Sequence, residues 1–263
     1  MSNTFNDGAI KHAPWSHSKL NVLNQCTLRF DLKYIQNKKE PPITDSRGRI
    51  GNAAHKTLEL IMTKGLEMNR AMKQAAFDNK LTTNETDDLL GFRVNINNFL
   101  ERYQKYKEKF PVGREAIEHR FGITVTMQPT TFFGKDVFFR GATDVSLFLQ
   151  NKDVVVIDHK SSDKREEQSG NYKYEEQLKV YAVASLVEDP ALRGVQSAIH
   201  YIKTEEIEWS TYVKSNTIQD EYIPWLVKYV NDASVRLIEP VKATKGWYCT
   251  FCGYKPACPA WRP

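Results

Sequence analysis

Hydrophobic and polar positions along the chain change their period twice. In "SHSKLNVLNQCTLRFDLKYI" apolar residues fall at 20, 23, 28, 32 and 35, a helical spacing that Ser16 or Ser18 can cap. A proline-rich basic loop follows, "QNKKEPPITDSRGRIG". The next helix, over about 50–64, carries His55 and Glu59 one turn apart on one face. Helical spacing continues through about 67–79 and 84–108. The texture then becomes that of strands in "REAIEHRFGITVTM", "KDVFFRGATDVSLFLQ" and "DVVVIDHKS". It returns to helix in "YKYEEQLKVYAVASLVE", where Leu178, Tyr181, Ala182 and Leu186 form one stripe. Two more strands, "GVQSAIHYIKT" and "EEIEWSTYVK", precede a helix over about 216–237 and a cysteine-rich end. The pattern predicts one α/β domain over residues 1–263, with a central mixed sheet flanked by helices. Its parts are a mostly helical stretch (16–110), a β-β-β-α-β core (111–215) and a C-terminal helix with a cysteine-rich segment (216–263).

Composition narrows this only a little. With 263 residues, 41% hydrophobic and 26% charged, the chain reads as an ordinary globular protein. Its 37 Lys and Arg against 32 Asp and Glu leave a net charge of +5, which permits an anionic partner without demanding one. "MSNTFNDGAIKHAPW" lacks the apolar core of a signal peptide, and no run of about 18 apolar residues could span a membrane. The expectation is a cytoplasmic protein, in the host cytoplasm if phage-encoded, whose four cysteines are not a secreted disulfide framework. There is no G-x-x-x-x-G-K-[ST] loop, so a helicase partner would be a separate chain.

The chemistry concentrates where the apolar run Val154–Ile157 breaks off into Asp158, His159 and Lys160. Residues two apart on a strand share a face, so Asp158 and Lys160 point the same way. Asp144 lies on the preceding strand, which can pair as a hairpin. Two carboxylates brought close together repel, and a hard divalent cation removes the conflict by binding both. Lys160 could then orient a water or offset developing charge, and His55 could add a third ligand.

The order His55, G-x-x-D (Gly141 to Asp144), D-x-K (Asp158 to Lys160) and Q-x-x-x-Y (Gln177 to Tyr181) resembles the RecB-type branch of the PD-(D/E)xK nuclease superfamily. The resemblance implies a restriction-endonuclease-like sheet. It also implies Mg2+ or Mn2+ held by His55, Asp144, Asp158 and the backbone carbonyl of His159, with Lys160 positioning the attacking water. Gln177 and Tyr181 would line the site near DNA, and Glu118 would be a supporting acid. The sequence departs from the family where Val145 and Ser146 replace the Arg and second acid that often follow the first Asp; Ser161 stands where Thr is frequent. Taken singly these signals are weak. A lone D-x-K is usually a solvated strand end, a lone His a core or surface residue, and Gln177 with Tyr181 ordinary amphipathic-helix residues.

Cys249, Cys252 and Cys258 form C-x2-C-x5-C, and Cys26 lies far upstream on the first helix. Four thiolates suit tetrahedral Zn2+, although such sites usually come as two knuckles, and they suit a [4Fe–4S] cluster. The arrangement is similar to that of the iron–sulfur nucleases of the superfamily, AddB-type subunits and CRISPR adaptation nucleases, and the likeness runs from about Ser16 to Cys258. It implies a cluster clasping the two ends of the chain, structural rather than electron-transferring.

Lys38, Lys39, Arg47 and Arg49 precede His55 and are candidate phosphate contacts, Arg47 and Arg49 being the better placed; a solvated basic loop is the plainer reading. "RYQKYKEKF" mixes Tyr with Lys as stacking platforms do, but helical spacing points its aromatics inward. These readings lead to a metal-dependent exonuclease on DNA ends or single strands, without sequence specificity, serving recombination, repair or spacer acquisition. Its rivals are a catalytically silent DNA- or partner-binding subunit of the same fold and a zinc-stabilised interaction protein.

Overall fold

The computed structural model describes residues 4–41, 46–162 and 174–261. The middle of the predicted basic loop, 42–45, and residues 163–173 lie outside them. The described residues form two compact units. One gathers both ends of the chain with residues 121–141, and the other is built from 46–120 and 142–218.

In the unit built from the chain ends, α1 covers Asp7–Lys11 and α2 covers His17–Gln25, where the Ser16 side chain accepts the Lys19 N–H as N-cap. The predicted helix does not continue through Cys26. There the backbone is extended (φ −159°, ψ 111°), and Sγ accepts the Arg29 N–H to start α3, Thr27–Phe30. A π-helical turn follows over Asp31–Ile35. Cys26 thus ends one helix and caps the next.

In the other unit, α4 (Ser46–Lys64), α5 (Met68–Asp78), α6 (Thr83–Leu90) and α7 (Arg93–Lys109) cover one face of the sheet. The stretch predicted as one helix over 84–108 is divided after Leu90, at the turn containing Gly91. A capping box, Thr82 with Glu85, fixes the start of α6. Tyr103 is buried and donates to Glu115 at 2.6 Å, while Tyr106 packs on Phe110, so the Tyr–Lys segment turns its aromatics inward.

The strands are β1 (Val112–Ile123), β2 (Pro129–Thr130), β3 (Phe139–Leu149), β4 (Asp153–Lys160), β5 (Gly194–Tyr201), β6 (Glu206–Trp209) and β7 (Val213–Lys214). Their order is β2-β1-β3-β4-β5-β6, with β7 also on β5. β3 and β4 form an antiparallel hairpin with Val145 opposite Ile157. β4 and β5 run parallel with Asp158 opposite Ile199, the crossover carrying α8, Glu175–Glu188. This is the mixed sheet the sequence predicts. β4 is central and buried along most of its length, which explains its continuous apolar run. Alternation assigns Val145, Leu147, Val155 and Ile157 to the core with Leu58, Met72, Ile96 and Phe99, and sends Asp158 to the opposite face, against α8.

Candidate active site

The packing of α4 brings His55 to the ends of β3 and β4. Ile50, Ala53, Ala54, Thr57 and Leu58 are buried along the helix, and Gly51 permits the approach: a Cβ there would lie 2.4 Å from Ser161 Oγ. One turn later His55 Nδ1 lies 3.5 Å from Asp144 Oδ2. The same Asp144 oxygen accepts the backbone N–H of His159 at 2.5 Å, so the carboxylate is held between helix and hairpin. Glu118 reaches the group from within β1, where its φ of +50° makes it a left-handed residue inside a continuous strand. For a residue with a Cβ, such a conformation costs about 1 kcal/mol or more and is retained where the surroundings demand it. One ligand atom from each of His55, Glu118 and Asp144 falls within 4.8 Å of the others. A cleft of about 450 Å³ opens over them, lined also by Lys56, Glu59 and Asp78.

Asp158 anchors a second network. Its Oδ1 accepts the Tyr181 hydroxyl at 2.7 Å and Gln177 Nε2 at 2.9 Å. Lys160 Nζ sits 2.6 Å from Asp158 Oδ2, and donates to Gln177 Oε1 at 3.2 Å. Oδ2 is buried, and the Lys160 ammonium is its close partner. Gln177 and Tyr181 are one helical turn apart on α8, which explains why both reach a single carboxylate.

Burial opposes every charge here, and partners decide which survive. For His55, the hydrogen bond and charge of Asp144 outweigh burial and raise the pKa. Asp144, resisting the same burial, is drawn down to about 2 by His55. Asp158 moves up, because burial and Asp144 together outweigh Lys160. Glu118 is pushed up to about 7 by burial and then by the charges of Asp144 and Glu59. The two aspartates are driven apart in acidity, and an acid-rich cluster short of compensating charge is what a cation would stabilise.

The structure therefore brings His55 and Asp144 together and adds Glu118, which sequence reasoning ranked as a supporting acid. Asp158 is excluded from that tight group and is linked instead to Lys160, Gln177 and Tyr181. The side chain of His159 turns into the core, its Nδ1 2.8 Å from His200 Nδ1. Gly51 escaped sequence reasoning; its signal is a glycine inside a helix one turn before the histidine. Arg49 and Arg47 lie on α4 rather than in a loop. The Arg49 guanidinium pairs with Glu85, whose carboxylate also accepts from Thr82, while Arg47 is exposed. Lys38 and Lys39 belong to the other unit.

Over residues 14–259, this sequence matches the PD-(D/E)XK nuclease superfamily. The chain belongs to that superfamily. The mixed sheet flanked by helices is its restriction-endonuclease-like fold. A candidate exonuclease from Eubacterium rectale, known from a crystal structure, aligns with a TM-score of 0.51 and 12% identity over 95% of this chain and 92% of its own. At that identity the likeness is one of fold. SSO0001 aligns at 14% identity over 94% of this chain and 96% of that one, but its TM-score of 0.34 supports nothing further. No curated protein matches the sequence significantly.

In this PD-(D/E)XK protein all four cysteines lie within the unit that holds both chain ends, and none is in a disulfide. Backbone N–H groups point at two of the sulfurs, Arg29 at Cys26 and Gly246 at Cys249 (3.4 Å). Around them the ends are stitched: Leu28 N donates to Lys242 O at 3.1 Å, Arg29 Nη2 to Phe251 O at 2.9 Å and Gly253 N to Glu40 Oε1 at 3.2 Å. A Cβ on Gly253 would lie 2.1 Å from Pro41 O, so only glycine admits this approach. Among the described residues, no three of the four sulfurs converge within 4.8 Å. No helix of the described residues is long and apolar enough to cross a membrane.

Proposed function

We propose that this chain is a divalent-metal-dependent deoxyribonuclease, an exonuclease acting on DNA ends or single strands without sequence specificity. The observation that carries the reading is the Asp144 carboxylate, held by His55 and the His159 N–H beside Glu118, next to the Lys160–Asp158–Gln177 network. His55, Asp144, Asp158 and the His159 carbonyl would hold Mg2+ or Mn2+, with Glu118 as supporting acid. An imidazole and several carboxylates, the buried Asp158 among them, are the donor set that fits such a hard cation. When bound, the cation supplies positive charge against the phosphodiester as negative charge develops on it.

Lys160 orients the attacking water in line with the leaving oxygen. Gln177 holds Lys160 and Asp158 in one arrangement, and Tyr181 completes the bonding of Asp158. The four cysteines would hold a [4Fe–4S] cluster, with Zn2+ as the alternative occupant, fastening the chain ends rather than moving electrons. Work in recombination, repair or spacer acquisition, with any helicase as a separate partner, follows from the same reading. Digestion of end-labelled linear DNA with Mg2+ or Mn2+ tests it. The parent should release nucleotides and Lys160→Ala should not; equal rates would remove Lys160 from the mechanism.

A further inference from the structure

The helix α5 lays Ala71, Met72, Ala75 and Ala76 against the core and turns Arg70, Lys73, Gln74 and Phe77 outward. These four positions follow i, i+3, i+4 and i+7, so they form one stripe. Phe77 is out of place on this polar face: it is 80% exposed, at the edge of a shallow depression of about 420 Å³ that Arg70, Lys73 and Gln74 also line. Among the described residues neither Arg70 nor Lys73 has a close salt-bridge partner; the Glu67 carboxylate, which lines the same depression and feels the charge of Lys73, is occupied by the N–H groups of Asn69 and Arg70 as helix cap. The stripe also leads somewhere. Asp78 and Asn79, the next residues along, line the cleft over His55, Glu118 and Asp144.

We infer that the outer face of α5 is a docking surface for single-stranded nucleic acid, with Phe77 stacked on an unpaired base and Arg70 and Lys73 on the flanking phosphates. The surface would guide a strand into the metal cleft, and to that extent it rests on the nuclease reading. A ring beside two exposed cations without a close salt-bridge partner matches what a single strand offers, alternating π-faces and negative charge. In a duplex the base faces are already stacked and unavailable to Phe77. A second copy of this chain fits poorly, because a twofold contact through this patch would set Arg70 and Lys73 against their own equivalents.

The test is binding of fluorescent oligo-dT and of a blunt duplex, in EDTA so that nothing is cut. Phe77→Ala should weaken oligo-dT binding by about five- to a hundredfold and duplex binding by less than about twofold. Phe77→Trp should restore the oligo-dT affinity, and Arg70→Gln with Lys73→Gln should weaken both ligands and flatten the salt dependence. The proposal is overturned if the parent does not bind oligo-dT, if Phe77→Ala binds it normally, or if both ligands are lost equally. Loss of self-association in Phe77→Ala at unchanged DNA affinity, read by light scattering, would reassign the patch to a contact between copies and likewise overturn it. The outcomes separate from those of the nuclease reading. An inert parent with Phe77-dependent binding sinks only that reading, and a cleaving parent indifferent to Phe77 sinks only this one.

Discussion

The Tyr181 hydroxyl donates a 2.7 Å hydrogen bond to Asp158 Oδ1, and both residues are nearly inaccessible to solvent. The bond joins α8 to the end of β4 and satisfies one oxygen of a carboxylate that burial makes reluctant to ionise. Tyr181→Phe should therefore cost about 1–2 kcal/mol of stability and raise the Asp158 pKa further. Urea unfolding gives the first quantity, and nuclease activity should fall with it, because Asp158 loses a hydrogen bond that favours its ionised form. Parent-like stability and activity would show that the bond is idle.

Glu118 should behave in the opposite way. Its carboxylate is crowded by Asp144 and Glu59, so without metal its ionised form works against folding. Glu118→Gln is expected to raise the melting temperature in EDTA at about pH 8 and to reduce the further rise produced by Mn2+. Thermal melts with and without the ion measure both. A variant destabilised in EDTA, with an unchanged Mn2+ response, would remove Glu118 as a supporting acid.

Stability should also fall in mild acid through the buried pair His159 and His200. Burial lowers the pKa of His159 to about 4 and that of His200 to about 2. Above the ordinary histidine value near 6.5 both folded and unfolded chains keep these rings neutral. As pH drops below it, the unfolded chain takes up protons that the native one refuses. Stability is thus lost from about pH 6.5 down toward the native values, about 2 kcal/mol for each ring and about 4 kcal/mol for the pair by pH 5. Urea midpoints at pH 7 and pH 5 test this, and His200→Gln should flatten the difference.

Cys26 sits at the break between two helices and beside the stitched C-terminal segment. Cys26→Ser should lower the iron and sulfide content of protein purified without oxygen and depress its melting temperature by at least about 5 °C. Stoichiometric zinc in colourless parent protein would replace the cluster with the alternative ion; no metal of either kind would leave the cysteines as plain thiols.

Much of the fold was legible because burial imposes local periods. The apolar run of β4 reflects its central position, and the four-residue spacing on α8 puts Gln177 and Tyr181 on one side; the predicted stripe of Leu178, Tyr181, Ala182 and Leu186 is not what the helix buries, since Val180 to Ser185 are buried without a break. The pairing of Asp158 with Lys160 follows from the two-residue repeat of a strand. Helix ends were less legible: the break at Cys26 depends on bonds to Lys242 and Arg29, which helical spacing does not encode.

By itself the sequence determined the α/β class, the strands of the mixed sheet and the order of His55, Asp144, Asp158, Lys160, Gln177 and Tyr181, because each depends on short-range spacing. Only the tertiary structure decided which acids meet. It set Glu118 beside His55 and Asp144 through a left-handed residue in β1, kept Asp158 with Tyr181, and committed Arg49 to Glu85. Those choices turn on backbone kinks and helix-to-sheet distances of an ångström or two, fixed by packing between elements remote in the chain.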